Sequence, residues 1–215
     1  MSDHLQALAS GFRLQEYEVL SVLGSGGFGI TYLAEDHNLN QKVAIKEYLP
    51  GALAFREGTT TVRARSNSTE DDFKWGLDSF LREARTMVQF RHRNLVLVYR
   101  LLQANGTAYI VMEYLEGETL GDVLQRDGGP YPEQRVLDIL LPMMDALLEV
   151  HRADLLHRDI KPGNIMIRPD GMPVLIDFGA ARYLSAAQSQ SVTAVLTPGY
   201  APIEQYSDRS TQQGP

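Results

Sequence analysis

Four short stretches hold side chains whose type and spacing suit work on phosphate. Gly24-Ser25-Gly26-Gly27-Phe28-Gly29 would let backbone N–H groups approach an anion with no side chain in the way. Alone, it also fits an ordinary glycine-rich turn. Val43-Ala44-Ile45-Lys46 puts a lysine in a β-rich run, where pointing to solvent is the plain reading. Glu83 changes that weighing. It lies three residues after Phe80 and four before Met87, on the apolar face of a helical pattern, where a lone carboxylate is costly unless paired. Lys46 is the obvious partner, and the pair would hold an ammonium toward a nucleotide's phosphates. In His157-Arg158-Asp159-Ile160-Lys161-Pro162-Gly163-Asn164, Asp159 can accept a hydroxyl proton, Lys161 can neutralise charge developing near a phosphate, and Asn164 can ligate a metal. Asp177-Phe178-Gly179 leaves the apolar run Val174-Leu175-Ile176 and delivers a carboxylate where a magnesium ion would need an oxygen ligand. Either of these last two motifs, taken singly, also fits a capped loop with a solvated acid.

Strands and helices must bring these stretches into position. Tyr17 to Leu23, Ile30 to Glu35 and Lys42 to Glu47 read as strands, so the glycine cluster joins two strands. A dinucleotide-binding fingerprint would need a helix straight after its last glycine, and Ile30-Thr31-Tyr32-Leu33 reads as strand instead. Leu95 to Gln103 and Tyr109 to Tyr114 flank Asn105-Gly106, a dipeptide that favours a tight hairpin. Phe73, Leu77, Phe80, Leu81, Ala84, Met87 and Val88 recur at helical spacing behind an acidic Asp71-Asp72 start. A second amphipathic helix is expected from Pro132 to about Arg152, with Val136, Ile139, Leu140, Met143, Leu147 and Val150 on its apolar face and a kink or local break at Pro142. Ile165 to Ile167 and Val174 to Ile176 form a hairpin about Pro169-Asp170-Gly171. The tail from Ala186 is polar and reads as loop.

The 215 residues suffice for one domain or two lobes with a real core. The formal charge of −7 gives no electrostatic reason to expect nucleic acid or an anionic membrane as partner. With no cysteine, disulfides, thiolate metal sites and cysteine nucleophiles are excluded, and a cytoplasmic location is expected. The start lacks the pattern of a signal peptide, and Val136 to Val150 is too short and too charged to span a bilayer.

Taken in order, these segments resemble the signature set of eukaryotic-type serine/threonine protein kinases, from about Tyr17 to Glu204. The resemblance implies a two-lobed α+β fold: a small antiparallel sheet plus one helix over an incomplete helical lobe, with ATP in the cleft between. Its divisions would be an extension over 1–16, an ATP-binding lobe over 17–115 and a catalytic lobe over 116–215. By the same similarity, Gly24, Ser25, Gly26, Gly27, Phe28 and Gly29 cover the phosphates of ATP, and Lys46 with Glu83 positions them. Leu23, Ala44 and Met166 are the apolar walls for the adenine, Thr31 lies over it, Met112 is the gatekeeper, and Glu113-Tyr114-Leu115 is the hinge. Asp159 is the catalytic base, assisted by Lys161. Asn164 and Asp177 hold Mg2+, with Mn2+ as an alternative ion. Lys161 and Thr197-Pro198-Gly199-Tyr200 favour serine and threonine acceptors on protein substrates. Arg158 points to an activation loop regulated by phosphorylation, for which Ser185, Ser189, Ser191 and Thr193 are the available acceptors.

Departures from the family pattern are few. Thr31 stands where a valine is usual, and Tyr200-Ala201-Pro202-Ile203-Glu204 spreads a normally contiguous Ala-Pro-Glu. The chain stops at Pro215, before the helices with which such kinases continue. The expectation is a piece of a longer protein, with a minimal kinase completed by self-association as the sharper alternative. The non-enzyme reading is a pseudokinase or nucleotide-binding module, although Lys46, Asp159 and Asp177 are all retained. A small-molecule kinase is the second enzyme reading, disfavoured by Lys161. Phe28-Gly29-Ile30-Thr31-Tyr32 and Ala201-Pro202-Ile203-Glu204-Gln205-Tyr206 resemble bacterial members. Arg56, Arg63 and Arg65, between Gly51 and Glu70, read as a solvated basic insertion.

Overall fold

The strand-rich first part of the chain, up to Glu113, forms a six-stranded antiparallel sheet. A computed structural model describes residues 6–177, 182–183 and 199–201. The chain divides into two compact units, Met1–Gln89 with Leu97–Tyr114 and Phe90–Val96 with Leu115–Pro215.

In the first unit, β1 (Arg13–Leu14), β2 (Tyr17–Gly26), β3 (Gly29–Asp36) and β4 (Gln41–Tyr48) follow one another. A small hairpin, β5 (Ala54–Glu57) and β6 (Thr61–Ala64), precedes helix α1 (Asn67–Met87). Then β7 (Val98–Ala104) and β8 (Thr107–Glu113) complete the sheet in the order β1-β2-β3-β4-β8-β7. Asn105 (φ 56°) and Gly106 (φ 75°) are both left-handed, as a two-residue hairpin turn demands, and they set Ala104 opposite Thr107. Leu95 to Leu97, read as strand, lie outside β7.

Helix α1 begins at Asn67, four residues ahead of the acidic pair. Ser66 N–H donates to Thr69 Oγ1 at 3.1 Å, so a hydroxyl closes the helix start that the carboxylates were expected to mark. The Tyr48 ring stacks on Phe73 and Phe80 of α1, with centroids 5.5 and 5.4 Å apart. A Cβ on Gly76 would collide with the Tyr48 hydroxyl, which explains a glycine in mid-helix despite its propensity cost.

The reading of the Gly51–Glu70 stretch as a solvated insertion is corrected in one essential respect. Arg63 and Arg65 are exposed, but Arg56 is buried. Its guanidinium finds a buried carboxylate, Glu47, that local spacing gives no means of assigning to it.

The second unit holds β9 (Glu118–Thr119), α2 (Leu120–Asp127), α3 (Glu133–Arg152) and β10 (Leu155–Leu156). A 3-10 turn (Pro162–Asn164), β11 (Ile165–Ile167), β12 (Pro173–Leu175) and β13 (Arg182–Tyr183) follow. Strands order as β12-β11-β9, and β10 pairs with β13. The hairpin about Asp170-Gly171 sets Ile165 opposite Leu175, with Gly171 at φ 84°. Helix α3 runs through Pro142 without a break. Met143, Ala146 and Val150 are buried, whereas Val136, Leu140, Leu141, Met144 and Leu148 are exposed. No described helix is long and apolar enough to cross a membrane.

Candidate active site

In the first unit, antiparallel register assigns side chains to faces. Thr31 lies opposite Lys46, Lys46 opposite Ile110, and Ala44 opposite Met112. Paired residues share a face, and so do alternate residues along a strand. Thr31, Ala44, Lys46, Tyr48 and Met112 therefore share one face. Helix α1 packs on that face through Tyr48, with Phe80 one turn before Glu83. Glu83 is buried, at 8% exposure, on the side of α1 that meets the sheet. Sheet register and helix docking thus bring Lys46 and Glu83 to the same layer of the unit.

The glycine cluster is a hairpin. Gly24 pairs with Thr31, Ser25 with Ile30 and Gly26 with Gly29, leaving Gly27 and Phe28 at the tip. Its glycines have different reasons to be glycine. Gly29 (φ 155°) passes so close to the Glu47 carbonyl that a Cβ would collide with it, and Leu49 N–H donates to Phe28 O at 3.1 Å. Packing alone requires glycine there. A Cβ on Gly24 or Gly26 would meet nothing within 4 Å, and neither has a positive φ. The unit does not need glycine at those two positions, while a ligand approaching the backbone would. Leu23, beside them, is half exposed. The Glu113 N–H donates to Leu97 O at 2.8 Å, and Leu115 is buried.

In the second unit, the loop after β10 folds on itself. The Asp159 N–H donates to Nδ1 of the buried His157 at 3.3 Å. Arg158 between them takes φ 65°, a conformation costly for a side chain of this type and held here by the loop's own bonds. Lys161 Nζ lies 2.8 Å from Asp159 Oδ2. Asn164 Nδ2 donates to the same oxygen at 2.8 Å and to the Asp159 carbonyl at 2.7 Å. The amide nitrogen thereby faces Asp159, and Asn164 Oδ1 is the atom able to ligate a cation. The Ile176 N–H donates to Asn164 O at 3.0 Å, which ties the residue before Asp177 to this loop. Met166 lies opposite Val174 on one side and Thr119 on the other. Among the described residues, no group of three or more histidine, cysteine or acidic side chains could hold a metal ion. Phe178, Gly179, Thr197, Glu204 and the acceptors Ser185, Ser189, Ser191 and Thr193 lie outside the described residues.

One supporting residue escapes a reading by motif. Asn94 is buried; its Nδ2 donates to Pro173 O at 2.7 Å, and its carbonyl accepts from Leu175 N–H at 2.9 Å. It anchors the strand that leads into Asp177. A polar residue before the apolar Leu95-Val96-Leu97 is its only trace in sequence.

Comparison with known proteins identifies the family and the fold. The protein kinase domain model matches residues 17–214. Serine/threonine-protein kinase PknA of a Nostoc species is 35% identical over 204 residues, covering 90% of this chain and 33% of the relative. Serine/threonine-protein kinase PrkC of Bacillus subtilis is 34% identical over 180 residues, covering 84% of this chain and 25% of the relative. The chain thus spans a third or less of these two curated relatives. A solved structure described as "PpkA-294 apo form" superposes with a TM-score of 0.81 at 39% identity, covering 94% of this chain and 72% of that one. The chain belongs to the protein kinase family, and its fold is the protein-kinase fold.

Proposed function

We propose that the protein transfers the γ-phosphoryl group of ATP to serine or threonine hydroxyls of protein substrates, itself included. The observation that carries this reading is the Asp159 carboxylate held between Lys161 and Asn164, each 2.8 Å from one of its oxygens. A carboxylate so oriented would accept the proton of an attacking hydroxyl as the new O–P bond forms and the bond to the β-phosphate oxygen breaks. The Lys161 ammonium would offset charge on the transferring group. Lys46, with Glu83, would anchor the phosphates, and the open backbone at Gly24 and Gly26 would lie over them. Leu23 and Ala44 would form apolar walls for adenine, with Met112 at its edge.

The protein kinase family uses ATP with a divalent metal, and Mg2+ is the ion we assign. It takes one or two protein oxygens beside substrate phosphates and water, so Asn164 Oδ1 and the Asp177 carboxylate suit it without a larger acidic cluster. When bound, the ion would neutralise phosphate charge. Use of ATP also fits a cytoplasmic enzyme.

Incubation with Mg·ATP followed by intact-mass measurement tests the reading. Phosphate should appear on the wild type and not on Asp159→Asn. Bound ATP without transfer in either would move the assignment to a nucleotide-binding module.

A further inference from the structure

The face of β4 opposite Lys46 carries a charge that phosphate transfer does not use. Glu47 follows Lys46 directly, so strand alternation sends the two side chains to opposite sides of the sheet. The Glu47 side chain is 0% exposed, and Arg56 Nη2, on a side chain 3% exposed, lies 2.5 Å from its Oε2. The Tyr32 hydroxyl donates to the same oxygen at 2.7 Å, and Tyr109 lies opposite Glu47 in the register with β8. Burial first, and the Glu47 charge next, push both phenols well above their ordinary range, so they remain neutral hydrogen-bond donors. Arg56 reaches further than Glu47. Its Nε donates to Gln6 O and its Nη1 to Thr60 O, both at 2.6 Å, while its backbone N–H donates to Gln6 Oε1.

The hairpin that supplies Arg56 is tied to two other parts of the unit. Val62 N–H donates to Asn105 O at 2.7 Å, on the turn between β7 and β8. Leu53 O accepts from Arg65 N–H at 2.8 Å and from Thr69 Oγ1, in the first turn of α1, at 3.4 Å. The strand bearing Lys46 and the helix bearing Glu83 are therefore braced by one hairpin, and Arg56 is its buried pin.

We propose that Arg56 is a positioning residue for Lys46: by neutralising Glu47 inside the unit it holds β4 to the face and register that aim Lys46 at the nucleotide's phosphates. This rests on the assignment of Lys46 as the phosphate-binding lysine. Without Arg56, the buried carboxylate has to reach water or be left uncompensated in the interior. Any rotation or slip of β4 that frees it displaces Lys46 by the same movement, because the two side chains share one stretch of backbone.

The test compares Arg56→Met with Lys46→Met and wild type, measuring Mg·ATP and adenosine binding by calorimetry on protein checked for folding by circular dichroism. Adenosine carries no phosphate, so it reports the base pocket alone. Arg56→Met should weaken Mg·ATP by roughly ten-fold or more, as loss of a ground-state contact does, while adenosine changes little. Lys46→Met should do the same. If Lys46→Met loses the preference and folded Arg56→Met keeps it, or weakens both ligands alike, the positioning role is wrong. If Lys46→Met itself keeps the preference, the assignment of Lys46 falls, and this inference with it. Should Arg56→Met not fold, Arg56→Gln removes the same charge with a polar side chain in its place and carries the same expectation and the same refutation.

Discussion

The two units hold their key side chains in different ways. Lys46 is fixed from behind, by Glu47, Arg56 and Tyr32 on the other side of its own sheet. Asp159 is fixed from within its loop, by the Lys161 ammonium and an asparagine amide five residues on. A strand offers no local partners to a side chain except across the sheet, so the support of Lys46 must come from distant chain. A tight loop folds its own neighbours together, so the support of Asp159 travels with the motif. Damage to the catalytic loop should therefore be local and chemical, and damage to the sheet should spread through structure.

The largest effect that would sharpen this contrast is on chemistry. Asp159→Asn should lower kcat by roughly 10^2- to 10^4-fold, the range for loss of a positioned general base, with Mg·ATP affinity retained in the binding assay. A matching loss of affinity would mean that Asp159 also supports the nucleotide site, which blurs the distinction.

Next comes the anchor of the second unit. Asn94→Ala leaves the buried Pro173 carbonyl without its donor and should cost about 1–3 kcal/mol in denaturant unfolding. A change too small to measure would show that β12 is held by its strand pairing alone.

The first unit should respond to alkali. Burial pushes Tyr48 up to about 12, and Tyr32 and Tyr109 are raised as well. A phenol raised on folding contributes its full stability below the unfolded pKa, about 10, and loses it as pH climbs through the folded value. Fluorescence of Trp75 in α1, the single tryptophan, should report constant stability up to about pH 10 and a decline toward pH 12. A curve flat across that window would contradict the tight burial of these rings.

The smallest expected change in stability is at the glycine hairpin. Gly26→Ala adds a Cβ that meets nothing, so unfolding should shift by less than about 0.5 kcal/mol, while Mg·ATP binding weakens. Unchanged binding would remove the ligand-based reason for glycine there.

The sequence made the short-range parts legible. The hairpin at Asn105-Gly106, the strand–glycine–strand arrangement and the loop from His157 to Asn164 each depend on contacts within a few residues. Their turn chemistry and spacing show before any fold does. Placing the start of α1 at Asp71 failed because a Ser66–Thr69 hydroxyl cap and a charged first turn mark a helix equally well. Two of the six residues expected on the apolar face of α3, Val136 and Leu140, are exposed, since periodicity reports which side of a helix is apolar and not what covers it. Reading Arg56 as solvated failed for a related reason: an arginine in a short hairpin looks exposed until its buried carboxylate is known.

What the sequence alone determined is the chemistry of the parts: a lysine on a strand, an acid on a helix's apolar face, and an Asp–Lys–Asn set on one loop. Those identities are fixed by residue type and by spacings of a few positions. Tertiary structure alone decided which face of β4 each charge occupies and which charges meet. It set Glu47 against Arg56, stacked Tyr48 on α1 beside Glu83, and hung the strand before Asp177 on Asn94. Pairings of this kind depend on desolvation, and a side chain's solvent is known only once the whole unit has closed around it.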